Sequence, residues 1–84
     1  MRAAVMSTGM ISAELKEIVL TAQFAVLGYE HPFKIHARRA VDLGVTRESL
    51  RAILMIGLGA TSVASQVAST LSWLDEALSQ SPAD

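Results

Sequence analysis

The sequence predicts an all-α protein, a small bundle of about four helices, and three observations carry that reading. Apolar residues recur every three or four positions through most of the chain, and no useful length of it alternates with the period of two that a half-buried strand needs. Capping residues and glycines divide the chain into four such stretches with short connections. The hydrophobic share, 51% of 84 residues, is aliphatic and alanine-rich with only 5% aromatic, which suits close helix contacts better than a sandwich of large rings.

The first helix is expected to start at Ser12, an N-cap residue, with Glu14 in the first turn where the helix dipole favours a carboxylate. Leu15, Ile18, Val19, Ala22, Ala25 and Val26 recur at helical spacing, and Leu20, Phe24 and Leu27 add a second stripe, so its later turns should be buried nearly all round until Gly28 ends it. Pro32 suits the first turn of a second helix, which puts His31 at or near its N-cap. Phe33, His36, Ala37 and Ala40 then share an inward face, while Lys34, Arg38 and Asp42 form a solvated one.

Gly44 closes that helix and Thr46 caps a third, with Glu48 in its first turn and Leu50, Ile53, Leu54 and Leu58 directed inward as far as Gly57 to Gly59. A fourth should begin at Thr61 or Ser62 and bury Val63, Val67, Leu71, Leu74 and Leu78, leaving Trp73 off the stripe. Residues 1–84 thus form a single domain, with 1–10 as a lead-in and 79–84 as a frayed tail.

Composition narrows the function classes. Seven Lys and Arg against eight Asp and Glu give a net charge of −1, so no broad basic surface exists to hold nucleic acid. Zero cysteines exclude disulfides, cysteine-ligated metal sites, a cysteine nucleophile and a dithiol redox cycle within these residues. The cytoplasm is the default location. The N-terminal stretch makes a poor signal peptide, because Ser7, Thr8 and Gly9 interrupt its apolar run.

Ala52 to Leu74 contains no charged residue and is long enough to span a bilayer, but Gly57, Gly59 and many Ser and Thr hydroxyls fit two bent helices better, so no membrane insertion is expected. A chain this short that lacks disulfides and carries such apolar helices is expected to self-associate.

Polar chemistry gathers between Gly28 and Gly44, in GYEHPFKIHARRAVDLG. Histidine can transfer protons near neutrality, and a neighbouring carboxylate can fix its tautomer and raise its basicity. Glu17, among apolar neighbours on the preceding helix, is a candidate for that carboxylate, and burial there would raise its pKa. Structural readings stand beside each of these. Taken alone, His36 reads more readily as a hydrogen-bonded core histidine, His31 as a helix cap or surface residue, and Glu17 as a surface acid paired with Lys16 or Arg39. His31 and His36 are five residues apart, which turns them away from a common helix face, so neither a metal site nor any other cofactor is expected.

In SAELKEIVLTA from Ser12, in GYEHPFKIHARRAVDLGVTRESL from Gly28 and in WLDEA from Trp73, the chain resembles the carboxymuconolactone decarboxylase family, which includes the alkyl hydroperoxidase D-like proteins. The resemblance runs from about Ile11 to Leu78 and implies an all-helical fold with a central antiparallel helix pair. It also implies a homo-oligomer, a trimer or hexamer, with sites near the subunit interfaces.

In the peroxidase branch a Glu, two Cys and two His form the reactive centre. Glu17, His31 and His36 match that Glu and both His, whereas Tyr29 and Pro32 stand at the cysteine positions, so thiol peroxidase activity is not implied. The decarboxylase branch resembles G-R-E-H-x-L-x-x-H, which Gly28, Glu30, His31 and His36 match, with Tyr29 in place of the usual Arg that would anchor a carboxylate.

The expectation that follows is a lyase-like protein that decarboxylates or isomerises a small carbonyl or carboxylate compound, with His31 and His36 as acid or base. Glu17 would orient or relay, and Tyr29 and Glu30 would line the substrate pocket. The alternative is a non-catalytic helical oligomer that serves as a binding or assembly subunit.

Overall fold

A computed structural model describes residues 11–79. Four helices occupy most of this span: α1, Ala13–Leu27; α2, Glu30–Asp42; α3, Arg47–Ile56; and α4, Ala64–Ser79. The expected lead-in and most of the expected tail fall outside the described residues. Ser79 is the last residue of α4.

Local chemistry sets the helix ends. The Ser12 hydroxyl accepts from the Leu15 N–H at 3.0 Å, and the Thr46 hydroxyl accepts from the Ser49 N–H at the same distance, so each cap satisfies a donor that the first helical turn leaves free. Gly28 ends α1 at φ 77°, where a side chain would be strained, and its N–H donates back to the carbonyls of Phe24 and Ala25.

One helix start, that of α4, differs from the expected one. α2 begins at Glu30 with Tyr29 in the cap position, so Pro32 stands third, in the first turn as expected, and His31 second, next to the cap. Proline is tolerated there because the first four helical N–H groups have no intrahelical partner to lose. α4 begins at Ala64, since the segment before it folds into a tight corner in which Gly59 N–H donates to Ser62 O and Ser62 N–H donates to Gly57 O. Gly57 is needed at this corner, because a Cβ would lie 3.1 Å from the Thr61 hydroxyl. Val63, expected to be buried, is exposed at the corner's end.

The turn between α1 and α2 is only two residues long, which forces the helices to run back along each other. Phe24 meets Tyr29 near the turn and Glu17 meets His36 farther from it, the progression of an antiparallel pair. α4 packs across this pair and α3 closes the end. Phe33, Ala37 and Ala40 of α2 form the centre of the core with Ala25, Leu50, Leu54 and Leu74. The two α2 alanines let neighbouring backbones come close, and Phe33 fills the remaining space against Trp73, ring centroids 5.9 Å apart. Trp73 therefore belongs to the packing, on the α2 side of α4.

Only part of the expected aliphatic stripes of α1 faces inward: Ala25 is buried, and Ile18 and Phe24 pack against the core. Glu17, Thr21 and Ala25, each four residues after the last, are buried, while Leu15, Val19, Val26 and Leu27 are exposed. Hydrophobicity alone would not bury Glu17 and Thr21 while Leu15 and Val19 stay outside. The polar row is accommodated because its groups are bonded: Thr21 donates to the Glu17 carbonyl at 2.7 Å and the Glu17 carboxylate has side-chain partners. Leu15, Val19, Val26 and Leu27 are left uncovered, as are Met55, Ile56 and Leu58, with Ile56 75% exposed.

Polar contacts fasten the layers at the rim. Lys34 bridges Glu30 on its own helix at 2.8 Å and Glu76 of α4 at 2.6 Å, so this residue of the expected solvated face joins two helices. Gln66 of α4 donates its amide to the carbonyl of Val26 at 2.7 Å, an acceptor at the end of α1, and to that of Ala25 at 3.3 Å, which also accepts from Gly28 N–H. No helix among the described residues is long and apolar enough to cross a membrane.

Candidate functional site

α1 and α2 bring one acid and one imidazole together inside the pair. The Glu17 Oε1 lies 2.6 Å from the His36 Nδ1, the short distance of a charge-assisted hydrogen bond. Glu17 is 3% exposed and the His36 side chain 13% exposed, so water competes little for the contact. The second carboxylate oxygen, Oε2, lies 3.3 Å from the Lys16 ammonium at the rim. Both oxygens are therefore engaged by groups that can carry positive charge.

Burial pushes the Glu17 carboxyl up, but the hydrogen bonds and charges of His36 and Lys16 outweigh it, and the pKa lies below its ordinary value of 4.5. Burial alone would give the raised value expected from the sequence; the two basic partners reverse its sign. With its proton held off, Glu17 remains a carboxylate near neutrality, which suits it to orient an imidazole and leaves it a poor proton carrier.

A carboxylate at Nδ1 holds the N–H on that nitrogen in the neutral ring and leaves Nε2 as the basic one. Nε2 has no hydrogen-bond partner among the described residues. The face of the imidazole is covered by Phe24, stacked at 5.5 Å between centroids and 19° between planes, and the Tyr29 ring lies 6.3 Å beyond Phe24. Phe24 was absent from the candidates read from sequence. Its signal was its position seven residues after Glu17, two helical turns along the same face.

The other candidates are placed elsewhere. His31 is exposed in the first turn of α2 and makes no hydrogen bond among the described residues. Glu30 is turned to Lys34, and half-exposed Tyr29 touches the pair only through Phe24. Among the described residues no group of three His, Asp or Glu is arranged to hold a metal ion.

Three hollows involve α1. One of about 320 Å³ runs along α1, lined by Ile11, Ser12, Lys16, Val19, Leu20 and Gln23 among others, so that Lys16 is the link between it and the pair. The other two, one beneath the α3–α4 corner and one at Ala22, Gln23, Val26 and Leu27, include neither Glu17 nor His36. Comparison with family models, with curated proteins and with solved structures gave no significant match.

Proposed function

We propose that this chain is a proton-transfer protein in which His36 is the acid–base residue and Glu17 orients it. The single observation that carries the reading is the 2.6 Å contact between buried Glu17 Oε1 and His36 Nδ1, with Nε2 left without a protein partner among the described residues. In isomerisation such a base removes a proton next to a carbonyl and, as its conjugate acid, returns it to another carbon of the enolate. In decarboxylation the carbon–carboxylate bond breaks, CO2 leaves, and the conjugate acid protonates the enolate left behind. Delivery of a proton to carbon is the step the two reactions share.

The resemblance to the carboxymuconolactone decarboxylase family supports a lyase-like activity of this kind on a small compound, in a cytoplasmic protein without thiol chemistry. The uncovered α1 stripe supports assembly as a trimer or hexamer, in which a neighbouring copy would enclose the pair. His31, exposed and without a hydrogen bond to the pair among the described residues, would be the second acid or base, and Tyr29 and Glu30 would line a pocket completed by assembly.

The test is deuterium exchange from D2O into a panel of small carbonyl and carboxylate compounds, followed by NMR. Exchange by the wild-type protein that falls about 100-fold or more in His36→Ala is expected, the usual contribution of a positioned acid–base group. Exchange that survives both His36→Ala and Glu17→Gln would remove the pair from the chemistry. A second reading, a non-catalytic assembly subunit, is favoured by one observation: the hollow along α1 is lined by Lys16 and by neither Glu17 nor His36. Absence of exchange with the whole panel in the assembled protein would support it.

A further inference from the structure

Phe24 presents its ring to His36 from the same face of α1 that presents Glu17. Helical side chains lean toward the N-terminus of their own helix, so in this antiparallel pair Phe24 leans away from the turn and His36 leans toward it, which brings the rings into contact. The near-parallel geometry, 19° at 5.5 Å, is that of an offset stack. A single hydrogen bond at Nδ1 leaves the imidazole free to swing about that bond and, by rotation about its Cβ–Cγ bond, to carry Nδ1 off Glu17 and lose the preference for a proton on that nitrogen. Coverage of one face removes that freedom.

We propose that Phe24 is a positioning residue: stacked on His36, it locks the imidazole plane so that Nδ1–H stays on Glu17 and Nε2 is the nitrogen that exchanges protons with substrate. This rests on the proposed role of the pair and adds the element that determines which nitrogen reacts. Phe24 itself touches neither substrate nor proton.

The experiment is long-range ¹H–¹⁵N NMR of the imidazole nitrogens in ¹⁵N-labelled protein, at a pH where titration shows the ring neutral. In the wild type, Nδ1 should carry the protonated-type shift and Nε2 the unprotonated type. Phe24→Leu should lower the ratio of the two tautomers about two- to tenfold, the range of an aromatic pair's coupling, while helical circular dichroism is kept. Phe24→Tyr, which keeps the ring, should restore the wild-type spectrum.

Unchanged nitrogen shifts in folded Phe24→Leu, or no rescue by Phe24→Tyr, would overturn the proposal while leaving the Glu17–His36 reading intact. A wild-type His36 protonated on Nε2 would overturn both. Should Phe24→Leu fail to fold, ¹³C relaxation of the wild-type His36 ring decides: order matching the helix backbone is expected, and a freely moving ring contradicts the proposal.

Discussion

Glu17 and His36, nineteen residues apart in sequence, meet at 2.6 Å across the antiparallel pair of α1 and α2. That contact lies on the face of α1 that also packs Ile18, Phe24 and Ala25 against the core. The helix buries Glu17, Thr21 and Ala25 and leaves Leu15, Val19 and Val26 outside. A buried carboxylate is tolerated only when its charge is compensated, and here His36 and Lys16 compensate it.

Replacement of Glu17 by Gln keeps the shape and removes the charge. The His36 ring then loses a charge-assisted partner in a nearly dry site, which should cost about 1–3 kcal/mol of stability. Urea denaturation measures it. Because the substitution also weakens tautomer control at His36, any exchange activity should fall in the same variant.

The depressed pKa of Glu17 also fixes the sign of an acid response. Taking 4.5 as the unfolded value, the stabilisation from this group is complete above that pH and is lost as the pH falls below it through the lower folded value. Thermal melts between pH 6 and pH 3 should therefore show an acid-dependent loss that is smaller in Glu17→Gln, where this titration is gone. Equal acid slopes in the two proteins would contradict the assignment.

The Gln66 amide closes the carbonyl end of α1 against α4. Gln66→Leu keeps the bulk and removes the donor, which should cost about 1 kcal/mol by urea denaturation. The site lies apart from His36, so its NMR signature should not change.

The uncovered stripe makes a separate prediction. The assembled protein should exceed 9.0 kDa in light scattering, and Val19→Glu, at an exposed position on α1, should shift it toward the monomer while helicity is kept. A wild-type monomer at all concentrations would remove self-association from the account.

The four helices were legible because their punctuation is local. Ser12, Gly28 and Thr46 act through bonds to residues within four positions, and the inward row of α2, Phe33, Ala37 and Ala40, follows from helical spacing alone. The exposure of Leu15 and Val19 beside buried Glu17 and Thr21 was not legible, since the Glu17 carboxylate is compensated by a partner from another helix, and an apolar stripe outweighs a single acid in any hydrophobicity count. The resemblance singled out Glu17 and His36 together, but it also grouped them with His31, which the α2 start at Glu30 turns away from the pair. Val63 and the start of α4 were misplaced because the hydrogen bonds of the corner at Gly57, Gly59 and Ser62 carry no periodic signal.

Titration of the Glu17 side-chain carboxyl carbon by ¹³C NMR, in the wild type and in His36→Ala, tests the buried pair most directly. The wild-type midpoint should lie below 4.5, and removal of the imidazole should move it upward, because burial then faces the Lys16 charge alone. A midpoint at the ordinary value that does not move in His36→Ala would contradict the pair on which the proposed chemistry depends.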